Sequence, residues 1–351
     1  MESIMKQVLF FLIMLSWHIG LFSQSVITIT SQNGTTKVAT DLISAIELAQ
    51  TDDILYLPAG NFDLKNVVVN KKLHIIGAGY NPKINGTNSV TYCTGTLTIT
   101  DAGSGGSVQG LYISGAITFG TDHATSNVKN YVIQRCYFNV LLMGYTWDGF
   151  NNAENIVIRE NMVEGAIYGG KAKNVIVCNN YLRQTGVTAR LVTHFANAKF
   201  YNNIFVTIDN NPFNGIWGCI FENNIVTVGN FGYVNAFENI QYLNNLYCHE
   251  PGLNGNGVVR SEGNVYMLLE DIFVNYSGGP LSFDDNYHLT PEALSAINGT
   301  DGTQVGIYGT SNPFKELGIP VNPIIQNSKV SSMTNPKGQL KIEFKVEAQN
   351  K

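Results

Sequence analysis

The amino-acid sequence predicts an all-β fold, a single-stranded right-handed parallel β-helix. An Asn-Asn pair recurs after short runs in which apolar and polar residues alternate, and its second Asn advances by 19, 23, 21 and 21 residues. The runs are rich in Val, Ile, Tyr and Phe, which strands prefer. Gly and Asn, the residues that turns require, separate the runs. A short, regular repeat of strands and turns predicts stacked coils.

The second Asn of each pair marks the same slot in successive coils. Cys136 and Leu111 hold this slot in earlier copies, and we interpret Asp271 as a late, degenerate copy. We expect the asparagines in this slot to face inward and to form a ladder, because stacked coils bring equivalent residues to about 4.8 Å from each other. Each buried amide then finds partners above and below. The predicted ladder consists of Asn161, Asn180, Asn203, Asn224 and Asn245.

Other repeat folds and other uses of Asn-Asn fit less well. Repeats of helix pairs are longer than about 21 residues, and leucine-rich repeats need a spaced leucine framework, which this sequence lacks. Asn-Asn is also common in turns, but turn chemistry alone does not require that the pair return in one slot.

The chain divides into three predicted regions. Residues 1–23 contain a basic Lys6, a short apolar stretch and a small Ser23, which indicates a signal peptide that is removed before Gln24. A retained membrane anchor is the alternative. Residues 24–319 are predicted to form the β-helix. Residues 320–351 form a tail in which apolar and polar residues alternate once, so we expect one strand that packs on, or caps, the last coils.

The start and the end of the repeat region carry a resemblance. The segment 41–50 has apolar residues at helical spacing, and the segments 53–62 and 72–79 follow it as first coils. With the Asn repeat, this order resembles the pectate-lyase-like right-handed parallel β-helix superfamily, which implies a short helix that caps the open end of the stack. The segments 286–289, 299–309, 313–315 and 318–320 resemble the closing part of secreted β-helix proteins of Bacteroidetes-type bacteria.

Composition limits the partners. The net charge of −5 and the pI near 5.7 argue against a nucleic acid and against an anionic membrane surface. The five cysteines cannot all pair within the chain and form no CxxC motif, so we expect buried free thiols and no zinc site. No later segment is long enough to span a bilayer. We expect a monomer that is secreted, periplasmic or held at the cell surface.

The resemblance implies a substrate groove along the strand that lies one strand before the Asn corner. In this sequence the groove segments are expected near residues 165–170, 189–195, 215–219, 233–238 and 257–263. They supply the candidate catalytic residues Arg190, His194 and Arg260 and the candidate substrate-binding residues Tyr168, Trp217, Asn235 and Glu238.

The chemistry of these residues suits a glycan. Tyr168 and Trp217 offer rings for stacking against sugars. Strand alternation places Arg190 and His194 on one face, roughly 13 Å from each other, where they would flank two sugars. The alternatives are that these residues are scattered over a solvated surface, that His194 is structural, and that Arg260 bonds backbone carbonyls.

No cofactor is fixed by the sequence. A complete calcium cluster of the pectate-lyase kind and the aspartate spacing of the polygalacturonase kind are both missing. Asp284-Asp285 is a candidate calcium site, with a solvated turn as the alternative.

Two functions remain open. The first is a secreted protein that binds or processes an extended polysaccharide along its strands, as a lyase or a hydrolase-like enzyme. The second is a non-catalytic solenoid for adhesion at a cell surface.

Overall fold

The structure of the protein is a computed structural model. It describes residues 26–83, 90–121, 126–144, 152–186, 190–208, 213–227, 237–250, 257–276, 278–320, 324–331 and 333–347. The predicted signal peptide, residues 1–23, lies outside these ranges.

The N-terminal end of the fold combines two antiparallel strands with a short helix. The strands Ile27–Thr30 and Thr36–Ala39 pair with each other, and the first also pairs antiparallel with Ile54–Tyr56. The helix Leu42–Leu48 begins at Asp41, whose side chain accepts the Ser44 N–H. It buries Leu42, Ala45 and Ile46 in the common core, and the Lys71 Nζ donates to three carbonyls at its C-terminal end. The expected cap helix is therefore present.

Behind this end the chain winds into a parallel β-solenoid of about eight turns, as the sequence predicts. Each complete coil contributes three strands, which stack into three faces. Face A contains the strands that precede the Asn corner: Ile54–Tyr56, His74–Ile76, Ser107–Gln109, Val132–Gln134, Val157–Arg159, Ile176–Cys178, Lys199–Tyr201, Ile220–Glu222, Ile240–Leu243 and Val258–Glu262.

Faces B and C follow the corner and belong to one branched sheet. Three long strands, Tyr112–Phe119, Tyr137–Leu142 and Met162–Tyr168, run through both faces, and their register shifts at the bend between them. Face B also contains Gly60–Asp63, Thr91–Thr94, Tyr181–Arg183, Ile204–Val206, Ile225–Val226, Leu246–Tyr247 and Val265–Tyr266. Face C also contains Val68–Val69, Leu97–Ile99, Val192–Ala196, Phe213–Trp217 and Phe237–Glu238. A 3₁₀ turn, Asp101–Gly103, precedes one coil.

The interior is a continuous apolar stack. Most strands contribute at least one inward residue to a single core, in which Phe200 lies flat on Phe221 at 4.7 Å between ring centroids. All five cysteines are buried free thiols, as expected. Burial raises the pKa of Cys136 and Cys219 to about 12, so both thiols stay protonated at neutral pH.

The inner side of the Asn corner carries the predicted ladder. The Oδ1 of each second Asn accepts the backbone N–H of the same slot in the preceding coil, at 2.9–3.0 Å. Its Nδ2 donates to a face A carbonyl of that coil, at 2.8–3.0 Å. The five predicted asparagines are fully buried. Cys136 and Leu111 hold the slot before them, as expected.

The ladder is one step longer than predicted, and one assignment was wrong. Asn264 accepts the Asn245 N–H, so it occupies the late slot that we had given to Asp271. Asp271 lies instead in the short helix Leu269–Ile272. Asn264 escapes the Asn-Asn pattern because Gly263 precedes it.

The outer side of the same corner is occupied by the first residue of each pair. Asn179, Asn202, Asn223 and Asn244 all have positive φ, between 49° and 57°. Asn tolerates this left-handed conformation better than most residues. The turn that it makes sends the next residue inward and points its own amide away from the core.

These outer amides hold a C-terminal segment, residues 278–320, which we call the strap. The strap includes the strand Asn286–Leu289, which pairs with Phe273–Asn275, and the helix Pro291–Ala296, which Thr290 caps. It then runs back along the corner toward the N-terminal coils. Its contacts follow in order: Asn244 to the Asn298 O, Asn223 to Thr300, Asn202 to the Gln304 and Gly306 O, Asn179 to the Ile307 and Gly309 O, and Arg135 to the Ile319 O.

The strap covers the outer surface of face B. Tyr181, Ile204 and Ile225 point outward from this face and are buried in a second apolar cluster with Ile307 and Phe314 of the strap. Near its end, the strap places Ile319 beside a buried ion pair of Arg135 and Glu160, whose Nε and Oε2 atoms lie 2.7 Å apart. The segments that resembled the end of secreted β-helix proteins are thus the cover of one face.

The tail differs from the expected single strand. It forms a hairpin of two antiparallel strands, Ile324–Val330 and Ile342–Glu347. In the described part of the chain, these two strands pair only with each other.

We predict that Asn203→Ala destabilises the fold by about 1–3 kcal/mol, because it leaves the buried Asn180 N–H and the Val177 carbonyl without the partners that Asn203 supplies. Thermal or urea unfolding measures the loss. Asn61→Ala, at an exposed Asn of face B, serves as the control and should unfold as the parent does. Equal unfolding of the two variants would contradict the ladder.

We also predict that Asn223→Gly loosens the strap. Glycine accepts the positive φ, so the change removes only the hydrogen bonds of the Asn223 side chain, two with Thr300 and a long one to the Asn202 Oδ1. Limited proteolysis within residues 298–310 should become faster. Asn239→Gly is the matched control, because Asn239 is exposed, has a φ of 57° and lies at the corner between faces C and A. Similar cleavage rates for both variants would argue against the strap contacts.

Candidate functional site

Face C carries most of the residues that the sequence assigned to a groove. Four of the five expected segments, those near 165–170, 189–195, 215–219 and 233–238, run into face C strands or end in them. The fifth, 257–263, contains the strand Val258–Glu262, which belongs to face A. It was misplaced because the corner that follows it, Gly263-Asn264, lacks the first Asn.

The outward side chains of face C form two rows that cross the coils. Tyr168, Thr193 and Asn214 pair in register and form the first row. Ala196, Trp217 and Glu238 pair in register and form the second. Neighbouring members of a row are about 4.8 Å apart, the spacing of paired strands. Tyr168, Asn214 and Trp217 are half-buried, and Glu238 is exposed.

A kink separates the two rows. His194 and Gly215 both have positive φ, 57° and 61°, so the alternation of these strands breaks between the rows. The argument from alternation that placed Arg190 and His194 on one face therefore fails. Arg190 lies before the strand Val192–Ala196 and is half-buried, while His194 sits in the kink with 7% of its surface exposed.

Burial and one neighbouring charge set the protonation of His194. Burial lowers the pKa of His194 below its usual 6.5, and the positive charge of Lys171 lowers it further. The Lys171 N–H donates to the His194 carbonyl at 2.7 Å, which fixes the two residues beside each other. At neutral pH the imidazole is therefore uncharged, which is the form of a proton acceptor.

The remaining candidates lie elsewhere. Arg260 is on face A, where it forms an exposed ion pair with Glu262 at 2.7 Å, so it does not share a surface with Trp217 and His194. Asn235 falls outside the described residues. The sequence reasoning missed Lys171 and Asn214. A search for charged and amide residues around each face C strand would have found both.

The other faces are less open to a ligand. The strap covers face B. On face A, outward polar groups satisfy one another across coils: Gln134 donates to Gln109, and the Arg159 Nε donates to Gln134, at 2.8 and 2.7 Å. Face C brings aromatic, amide and ionisable side chains together in its two outward rows.

Metal binding has no visible support in the described residues, where no three His, Cys, Asp or Glu side chains lie close enough to hold an ion. Asp284, half of the candidate calcium site, forms an ion pair with Lys83. Asp285 accepts the Ser282 N–H and the Tyr287 hydroxyl. Both carboxylates therefore have protein partners in a turn.

Comparison with protein-family models, curated proteins and solved structures gives no match for this chain. Within the described ranges, no helix combines the length and the apolar character needed to cross a bilayer.

We predict that His194 makes the fold less stable as the pH falls below about 6.5. The pKa of the imidazole is lower in the folded state than in the unfolded state. Between these two pKa values, the unfolded chain binds a proton that the folded chain does not. The free energy of unfolding therefore decreases as the pH is lowered from about 6.5. His194→Asn, which tolerates the left-handed φ, should reduce the slope. His74, whose pKa burial also lowers, leaves a residual slope. Urea unfolding from pH 7.5 to 5 measures both, and an unchanged slope would contradict the prediction.

Proposed function

We propose that this protein is an exported β-helix of the pectate-lyase-like superfamily that binds an extended polysaccharide along face C. The observation that carries the proposal is the pair of half-buried rings, Tyr168 and Trp217, which lie in the two outward rows two coils apart. Two coil spacings amount to roughly 10 Å along the solenoid. A chain of sugars laid obliquely across the coils would pass both rings.

The polar residues between and beside the rings fit the same ligand. Sugar hydroxyls need donors and acceptors, which the Asn214 amide and the Glu238 carboxylate provide. Lys171 and Arg190 add positive charge, so an acidic glycan is accommodated as well as a neutral one. Stacking of a sugar on Trp217 would bury apolar ring surface that is half exposed in the free protein.

Export is part of the proposal and rests on the N-terminal sequence. The basic residue, the short apolar stretch and the small residue before Gln24 are the parts of a cleavable signal. The Bacteroidetes-type origin rests on the sequence of the strap. Neither depends on the geometry of face C.

Cleavage of the glycan requires more than the binding face. The neutral His194 is suited to accept a proton, and the cationic Lys171 lies beside this base. A polysaccharide lyase would use such groups to remove a proton beside a carboxylate. Turnover of uronate-containing or neutral polysaccharides by the purified protein, lost in Arg190→Ala and His194→Asn, would establish it.

The alternative, a non-catalytic surface or adhesion solenoid, is favoured by one observation. Arg260, the third candidate catalytic residue, lies on face A and cannot join the other two at one bond. Binding without turnover would support this reading, and metal-dependent cleavage would exclude it.

We predict that Trp217→Ala weakens glycan binding by tenfold or more, equivalent to about 1.4 kcal/mol, because it removes one stacking surface. Affinity electrophoresis in gels that contain each polysaccharide measures the loss. Tyr201→Ala is the matched control, because Tyr201 is also a half-buried aromatic residue, but on face A. Equal affinity of Trp217→Ala and parent for every retained glycan, or equal loss in the control, would refute binding on face C.

A further inference from the structure

The last coil of the solenoid presents an apolar strand edge. Val258–Glu262 is the final strand of face A, and Val265–Tyr266 is the final strand of face B. Val259 is 60% exposed and Tyr266 47% exposed, and Leu268 just beyond them is 49% exposed. Terminal strands of a sheet carry unpaired backbone groups that can accept another strand.

The C-terminal hairpin presents a second apolar surface. Ile342 and Val346 alternate with charged residues on one strand and are 50% and 55% exposed, and Leu340 before them is 47% exposed. A two-stranded hairpin is marginally stable in water when nothing packs on it. The hairpin therefore gains stability from any sheet that covers these residues.

The strap keeps these two surfaces apart within one molecule. It delivers the chain to the early coils, where Pro320 lies against Gly110 so closely that a Cβ on that glycine would be 2.5 Å from the proline ring. Only three residues, 321–323, separate Pro320 from the hairpin. Seven strand spacings of face A, roughly 34 Å, lie between the strands Ser107–Gln109 and Val258–Glu262.

The charges of the two surfaces are complementary. Residues 257–272, the last coil and the helix after it, contain one Arg against two Glu and one Asp, a net charge of −2. Residues 324–347, the hairpin, contain four Lys against two Glu, a net charge of +2. The charged side chains whose exposure is described are exposed in both segments, and opposite charges steer association.

We propose that copies of this chain associate head to tail, with the hairpin of one copy added to the last coil of the next. The contact joins two different surfaces, so it is heterologous and continues into open chains unless a ring closes. The sequence alone led us to expect a monomer, and sedimentation decides between the two.

Two full-length variants test the contact from its two sides. Val259→Lys places a charge on the contact surface of the last coil, and Val346→Lys places one on the contact surface of the hairpin. Lysine on an edge strand opposes pairing, and both positions are exposed enough that the fold should be retained, which circular dichroism checks. Val38→Lys is the matched control, because Val38 is 61% exposed on the edge strand at the opposite end of face A.

Analytical ultracentrifugation over a concentration series gives the readout. The parent and Val38→Lys should grow in mass with concentration, and each of the two test variants alone should stay at the mass of one chain. An equimolar mixture of Val259→Lys and Val346→Lys should form a dimer and nothing larger, because it restores a single unaltered contact.

Three outcomes would overturn the proposal. If the parent remains a monomer at all concentrations, the proposed contact does not form. Association that persists in Val259→Lys alone would point to contacts between hairpins. A mixture of the two variants that stays monomeric would show that the two surfaces do not meet.

Discussion

The corner between faces A and B is the constraint on which the rest of the structure depends. One residue of each pair adopts a left-handed conformation, and this turn places the next side chain inside and its own side chain outside. The inner Asn replaces a backbone partner that the sharp corner would otherwise lack, because its Oδ1 accepts the N–H of the preceding coil. The outer Asn holds the strap. A two-residue unit thereby fastens the coils to each other and the strap to the coils.

The sequence predicted the inner half of this arrangement and not the outer half. The ladder is readable because the same residue returns at a regular period, so its partners are other copies of itself. The strap contacts join Asn179 and Asn202 to backbone carbonyls more than 100 residues away. Every residue has a backbone carbonyl, so no sequence pattern indicates which carbonyls the asparagines bind. Where the pair is incomplete, as at Gly263-Asn264, even the ladder was misread.

The same limits explain the outcome at the candidate site. Counting strands back from the corner placed Tyr168 and Trp217 on one face, because coil order follows directly from the repeat. Side-chain direction near Arg190 and His194 did not follow, since alternation holds only in regular strands and His194 has a φ of 57°. Arg260 was assigned to the groove but lies on face A, because the corner that follows it was not recognised. The repeat therefore predicts reliably which face a strand belongs to. It predicts the direction of an individual side chain only where the strand is regular.

The strap also decides which surface is left for function. Parallel sheets are ordinarily covered on both sides, and face B follows this rule because Tyr181 and Ile204 are buried under the strap. Face A instead ties its polar residues to one another along the stack. Face C carries the rings, the amide and the uncharged imidazole. The outer asparagines close face B by holding the strap over it, which leaves face B unavailable to the glycan that we propose for face C.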